Sequence, residues 1–234
     1  MKLLRFALPL LCAVALAVSL SACHKNTPPV PGPADPEAEE YSVANKIAQD
    51  LKTAVAEIGD LQTQEETGVL VRVTNENGLS KVLEEKSDRT IRLEGKEADG
   101  EVTIPAGDYS ARSVILDAPN ASLVSDADLG AVTVKSLGEA GCTFNGHVGT
   151  LFVAGGDLNV TLAGGADKVY VTGARANVTL AGGEFPVVYC DNLFAVIANK
   201  TEAAVNLILP NGVAKEIPAG KAYSMETGKL TRAK

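Results

Sequence analysis

Val160-Thr161-Leu162, Val169-Tyr170-Val171, Val178-Thr179-Leu180 and Val187-Val188-Tyr189 are apolar–x–apolar triplets, each beginning nine residues after the last. The comb runs back through Leu151-Phe152-Val153 to Cys142-Thr143-Phe144 and forward through Val196-Ile197-Ala198 to Val205-Asn206-Leu207, eight consecutive units. Past one added residue it resumes upstream at Val132/Val134, Leu123/Ser125 and Val114/Leu116. A three-residue strand cannot bury itself, but rungs stacked roughly 4.8 Å apart bury a continuous apolar column. Two nonapeptides close one turn of about 18 residues, and NVTLAGG at 159–165 returns one turn later at 177–183. The fold class that follows is mainly β: a parallel β-helix, or β-solenoid, with right-handed winding as the default for parallel crossovers. Gly155-Gly156, Gly164-Gly165, Gly173 and Gly182-Gly183 fall between strands, where tight turns favour positive φ.

The comb assigns an inside and an outside. The first and third residue of each triplet point inward, so Val169 and Val178 face the core from opposite sides. The middle residues point out: Thr143, Thr161, Thr179 and Ile197 on one face, Phe152, Tyr170, Val188 and Asn206 on the other. Phe152, Tyr170 and Val188, beside Ala154, Pro186 and Ile208, form an apolar outer column and the candidate binding surface. Such columns are uncommon on an open surface. Either another part of the chain lies over it, or it is a platform for a sugar ring or a partner protein.

The segments before the repeat point to export. Lys2 and Arg5 precede an uncharged apolar run from Phe6 to Leu20, too short for a comfortable membrane span and suited to a signal peptide. Leu20-Ser21-Ala22-Cys23 resembles the bacterial lipobox. The resemblance implies cleavage after residue 22, a lipid on Cys23, and an extracytoplasmic place in the bacterial cell envelope with the membrane as partner. Cleavage removes Lys2 and Arg5 and no acid, taking the formal charge from −8 to −10. An acidic body of this kind stands off an anionic membrane and repels a nucleic-acid backbone. Residues 23–40 carry Pro28, Pro29, Pro31, Pro33 and Pro36 and read as an extended tether.

Residues 41–68 hold a helical pattern. Ile47, Leu51, Ala54, Ile58 and Leu61 recur at spacings of four, three, four and three, forming one stripe. It can pack on the protein's own body or join copies of the chain. Residues 69–234 form the solenoid domain. Its early elements are a strand at 69–73, a short helix at 77–85 and strands at 90–93 and 102–104. A closing hairpin across Leu207–Ile217 caps the end.

Two family resemblances bear on chemistry. The nonapeptide spacing with GG turns is similar to the RTX-type β-roll, which implies calcium held by Asp. Here the corresponding positions are Val160, Val169, Val178 and Val187, so that ligand column has been replaced by core. The body over residues 70–225 resembles the pectin-lyase-like β-helix superfamily, which implies the alternative of a polysaccharide lyase or hydrolase. Hydrolysis needs two carboxylates flanking the bond, and neither outward column supplies one. Asp157, Asp167, Glu184 and Asp191 read as turn residues, Lys168 and Arg175 as scattered charges, and His24 and His147 as unrelated. The Thr143/Thr161/Thr179 column resembles one half of an ice-binding face, but Asn159/Asn177 and Ala163/Ala181 flank it, which makes it an exposed β-branched ladder. Cys142 is a small core residue. Cys190 sits about two and a half turns away, roughly 12 Å along the axis and beyond disulfide reach. No metal, catalytic residue or cofactor is implied. The function expected is a surface-anchored lipoprotein with a non-catalytic, structural or adhesive solenoid that contacts glycan or protein.

Overall fold

Strands this short survive only by stacking on copies of themselves, and the chain stacks throughout. The computed structural model describes residues 70–85, 89–95 and 100–234. The expected signal segment, Cys23, the expected tether and the Tyr41–Leu61 pattern lie outside the described residues. The described part is a parallel β-solenoid of about seven turns. One sheet, here sheet A, has the order β1(Leu70–Val73), β2(Thr90–Glu94), β4(Asp108–Ala118), β6(Asp128–Leu137), β8(Val148–Val153), β10(Ala166–Val171), β12(Val187–Cys190), β14(Val205–Ile208), β15(Ala214–Ile217). Sheet B runs from β3(Gly100–Ile104) through β5(Ala121–Ser125), β7(Cys142–Phe144), β9(Asn159–Leu162), β11(Asn177–Leu180) and β13(Val196–Asn199) to β16(Lys221–Ser224) and β17(Lys229–Arg232). All pairings before the last strands are parallel.

The inward columns make a thin two-sided core. Val114, Val132, Leu151, Val169 and Val188 stack in sheet A, and Leu123, Cys142, Val160, Val178 and Ile197 stack in sheet B, all buried. Each fully buried Val, Leu or Ile contributes about 1.5–3 kcal/mol against exposure. Val169 and Val178 point inward as the triplets predict, and Thr161 points out. Cys142 and Cys190 are free, buried thiols. Burial pushes Cys142 up, and burial first of all takes Cys190 to about 11.

The nine-residue register first fails in the turn before β12, and the next step, Val188 to Leu207, is again 19 residues. Val169 pairs with Val188 and Val171 with Cys190, so the step is 19 residues where the comb requires 18. Val188 is therefore a core residue at 0% exposure, and the outward side chain of its rung is Tyr189. The same slip turns Ile197 and Asn199 inward and Val196 and Ala198 outward on the next rung. The cause lies in the turn. Phe185 is buried and takes up the inward position at the strand entry, leaving Glu184 as the extra, exposed residue. A bulky apolar anchor before Pro186 costs less to bury one residue late than to leave in water.

Polar groups that enter the core are satisfied. Asn199 is fully buried; its Nδ2 donates to the carbonyls of Ala203 and Ile217 at 2.8 Å each. Its Oδ1 accepts from the backbone N–H of Thr201 at 2.9 Å and from the Thr201 hydroxyl at 2.7 Å. This fixes the loop that leads to β14 and clamps it to β15.

The ends of the stack are closed. Helix α1(Glu76–Glu84) starts at Asn75, whose side chain accepts from the N–H of Gly78 at 2.8 Å. It buries Leu79, Val82 and Leu83 and packs on β1, β2 and β3, covering the first turn of the core. Buried Arg112 donates to the carbonyls of Val82 and Glu85, pairing acceptors that the end of a helix otherwise leaves open. At the other end β14–β15 and β16–β17 are antiparallel hairpins, the first of them across the expected closing segment. Lys215, Glu216, Lys229 and Arg232 keep the last strands exposed and charged, which discourages edge-to-edge pairing.

Glycine in the turns has two separate reasons. Gly165 and Gly183, one turn apart, have φ of +85° and +79°, as tight turns require. Gly155 and Gly173 have no positive φ. A Cβ on Gly173 would stand 1.8 Å from the Gly155 carbonyl oxygen, and one on Gly155 would stand 1.8 Å from that of Lys135. Stacked backbone, not φ, excludes a side chain there.

Two outcomes test this packing. Val188→Asp buries an unpaired charge and costs several kcal/mol, whereas Val187→Asp, on the outer side of the same strand, is mild; comparing their melting temperatures checks the register. Gly173→Ala forces the turns apart and destabilises by about 2–4 kcal/mol. Gly156→Ala, whose Cβ would meet the Ala174 oxygen at an ordinary 3.4 Å, stays near the parent in chemical denaturation.

Candidate functional site: the aromatic face of sheet A

Parallel in-register stacking places each outward side chain of sheet A directly over its counterpart one turn away. The central outer column reads Arg72, Arg92, Ile115, Thr133, Phe152, Tyr170, Tyr189 and Ile208. Of the three residues proposed for this surface, Phe152 and Tyr170 belong to it and Val188 does not. Tyr189 stands in its place, and Ile208 continues the column. The Phe152 and Tyr170 rings stack with centroids 5.1 Å apart and planes at 12°; Tyr189 meets Tyr170 edge-on at 6.3 Å and 62°. Both geometries suit the quadrupoles of the rings. Burial, followed by the charges of Asp191 and Cys190, pushes the Tyr189 phenol above its ordinary range.

Three members of the column are buried although they point outward, while Phe152, Tyr189 and Ile208 are half-buried. Tyr170 is 1% exposed, Ile115 5% and Thr133 6%. On the matching column of sheet B, Val124, Thr143, Thr161, Thr179 and Ala198 are all half-exposed.

The N-terminal end of the same face is ionic. Arg92 contacts Glu94 at 2.8 Å and Asp117 at 2.6 Å, Arg72 meets Glu94 at 3.1 Å, and Lys135 meets Asp117 at 3.5 Å. Glu94 and Asp117 are carboxylates on adjacent rungs, a feature the triplet comb does not reveal because they flank the central column. Arg92 lies against both, so they form an ion-pair ladder and not an open acid–base pair.

Further charges that look scattered in sequence come together one turn apart. The Arg175 guanidinium donates to both oxygens of Asp157 at 2.5 and 2.6 Å and holds that carboxyl below its ordinary range. Asp157 and Arg175 both have positive φ, 57° and 55°, so the same turn shape repeats with its side chains joined. His147 lies 3.3 Å from Asp167, both well exposed. The Asn177 amide donates to the Asn159 side chain at 3.1 Å, the expected stacked asparagines. A spacing of 18 to 20 residues between opposite charges was the signal available for these pairs. Among the described residues no three His, Cys, Asp or Glu side chains are grouped to hold a metal ion. Leu193 and Phe194, in the turn after β12, are 67% and 55% exposed.

Comparison with protein-family models, with curated proteins and with solved structures finds no match to this chain.

The ring stack carries its own coupling. A double-mutant cycle of Phe152→Ala and Tyr170→Ala is expected to give an interaction of about 0.5–1.5 kcal/mol beyond the single effects, read by denaturant unfolding. Additive single effects would show that the two rings merely share a face.

Proposed function

We propose that this chain is a bacterial lipoprotein, cleaved before Cys23 and held by a lipid on that residue in the cell envelope outside the cytoplasm. The solenoid is a non-catalytic module with a structural or adhesive role, contacting glycan or surface protein. The observation that carries the reading is the order of features: a lipobox, a proline-rich spacer, then a solenoid capped at both ends by α1 and by charged hairpins. A capped stack is rigid and does not polymerise through its edges, so its turns and faces are what it offers to others. Leu193 and Phe194 are its most exposed large apolar side chains, and an accessible aromatic ring suits a sugar or a protein partner. Likeness to the pectin-lyase-like superfamily enters as architecture only. The carboxylates on adjacent rungs, Glu94 and Asp117, are occupied by Arg92, which supports a module over an enzyme.

Cys23→Ser is expected to leave the protein unprocessed or released from the membrane fraction, with no lipid on its mature N-terminus by mass spectrometry. Mature, lipid-bearing protein from that variant would overturn the anchor. On glycan and envelope-protein arrays, Phe194→Ala is expected to lower binding of the parent's ligands at unchanged melting temperature.

A further inference from the structure

We infer that the open edge of β17 is a docking site for an extended, acidic segment of a protein partner, which adds to sheet B as one more strand. This goes beyond the reading above, which places contacts on turns and faces. It depends neither on lipid at Cys23 nor on the ring of Phe194.

β17 is the last strand of sheet B, and all four of its residues are exposed. Its pairing with β16 sets Thr231 opposite Ala222 and Arg232 opposite Lys221. The Ala233 N–H donates to the Gly220 carbonyl at 2.9 Å. On the far side of β16 the Met225 N–H donates to the Ala195 carbonyl at 3.0 Å. An antiparallel ladder alternates, so Lys229, Thr231 and Ala233 turn their backbone groups to β16, and Leu230 and Arg232 turn theirs to the open side. Their N–H and C=O groups stand ready for another strand. Such a row of backbone donors and acceptors matches a peptide better than a lipid headgroup.

The core column stops at the same place. Val178, Ile197, Tyr223 and Leu230 stack in turn on the inward side of sheet B. Val178, Ile197 and Tyr223 are buried, but Leu230, the last, is 40% exposed. A further strand with an apolar residue opposite Leu230 covers it as each rung covers the one before.

Charge selects the partner. Residues 101–199 carry ten acidic and four basic side chains; residues 200–234 carry three and six. Lys221 and Arg232 lie directly opposite each other, and like charges so placed repel. Among the described residues no carboxylate meets Lys221, Lys229 or Arg232. On the added strand, a carboxylate two residues from the apolar one lies on the same side, level with Arg232, and relieves that repulsion. A second β17 brings the same cations and is turned away.

The test uses the full-length protein in detergent and a labelled eight-residue peptide in which valine, threonine, glutamate and threonine repeat. Saturable binding by fluorescence anisotropy is expected, with hydrogen exchange at the Leu230 and Arg232 amides slowed several-fold. The same peptide with glutamine for glutamate is expected to bind several-fold more weakly. Lys221→Glu/Arg232→Glu is expected to lose the acidic peptide and to take up a lysine version instead. No binding, equal binding of the glutamine peptide, or binding without protection of those two amides overturns the inference. So does protection by short-chain phosphatidylglycerol and not by the peptide, which would assign the edge to lipid. Should the double variant not fold, the parent's binding of the two peptides and its amide exchange decide the matter alone.

Discussion

The interaction on which everything else rests is the parallel hydrogen-bonded pairing of each rung with the next, held in register by an apolar column. In-register stacking makes every residue the neighbour of its own counterpart about 18 or 19 positions on. A single side-chain preference, repeated, becomes a line through the molecule. Val over Val gives the core, Asn159 under Asn177 a hydrogen-bonded pair, and Phe152 under Tyr170 a ring stack. The same rule works against side chains at the turns. Gly173 lies so close over Gly155 that only hydrogen fits. Tolerance to substitution is therefore set less by secondary structure than by what lies one turn away.

That rule also explains what could be read from the sequence. Inward and outward positions from Val114 to Leu180 follow from the triplets, because there the turns vary by at most one residue and NVTLAGG repeats unchanged. The strand at Leu70–Val73, the helix near residues 76–85 and the closing hairpin were legible from local pattern. The slip at Val187-Val188-Tyr189 was not, since all three residues are apolar enough to face either way. Only the turn before them breaks the tie, through Phe185 and Pro186, and counting by nines passes over turns. Counting by nines puts Val188 on the outer face and hides Tyr189, which completes the aromatic column.

The charged pairs are hidden in the sequence for a related reason. Asp157 and Arg175, or Asp117 with Arg92 and Lys135, are distant in sequence and unremarkable one at a time. Their meaning appears only when each is compared with the residue one turn away, as with the valines. Exposed pairs such as Asp157–Arg175 contribute little each. Their consequence is geometric, since each pair ties one turn to the next.

The two faces of the solenoid differ, and the difference has a direction. Sheet B presents short Thr and Asn side chains that remain content beside water. Sheet A changes along its length from an Arg–Glu–Asp ladder near β2 to rings near β10 and β12. The ladder sits beside β1, where the stack begins, and the rings lie toward the hairpin-capped end, so the outer face of sheet A carries its charge and its apolar surface at opposite ends. Because each outward side chain lies over its counterpart one turn away, a change at one rung of this face is felt first by the rungs on either side of it.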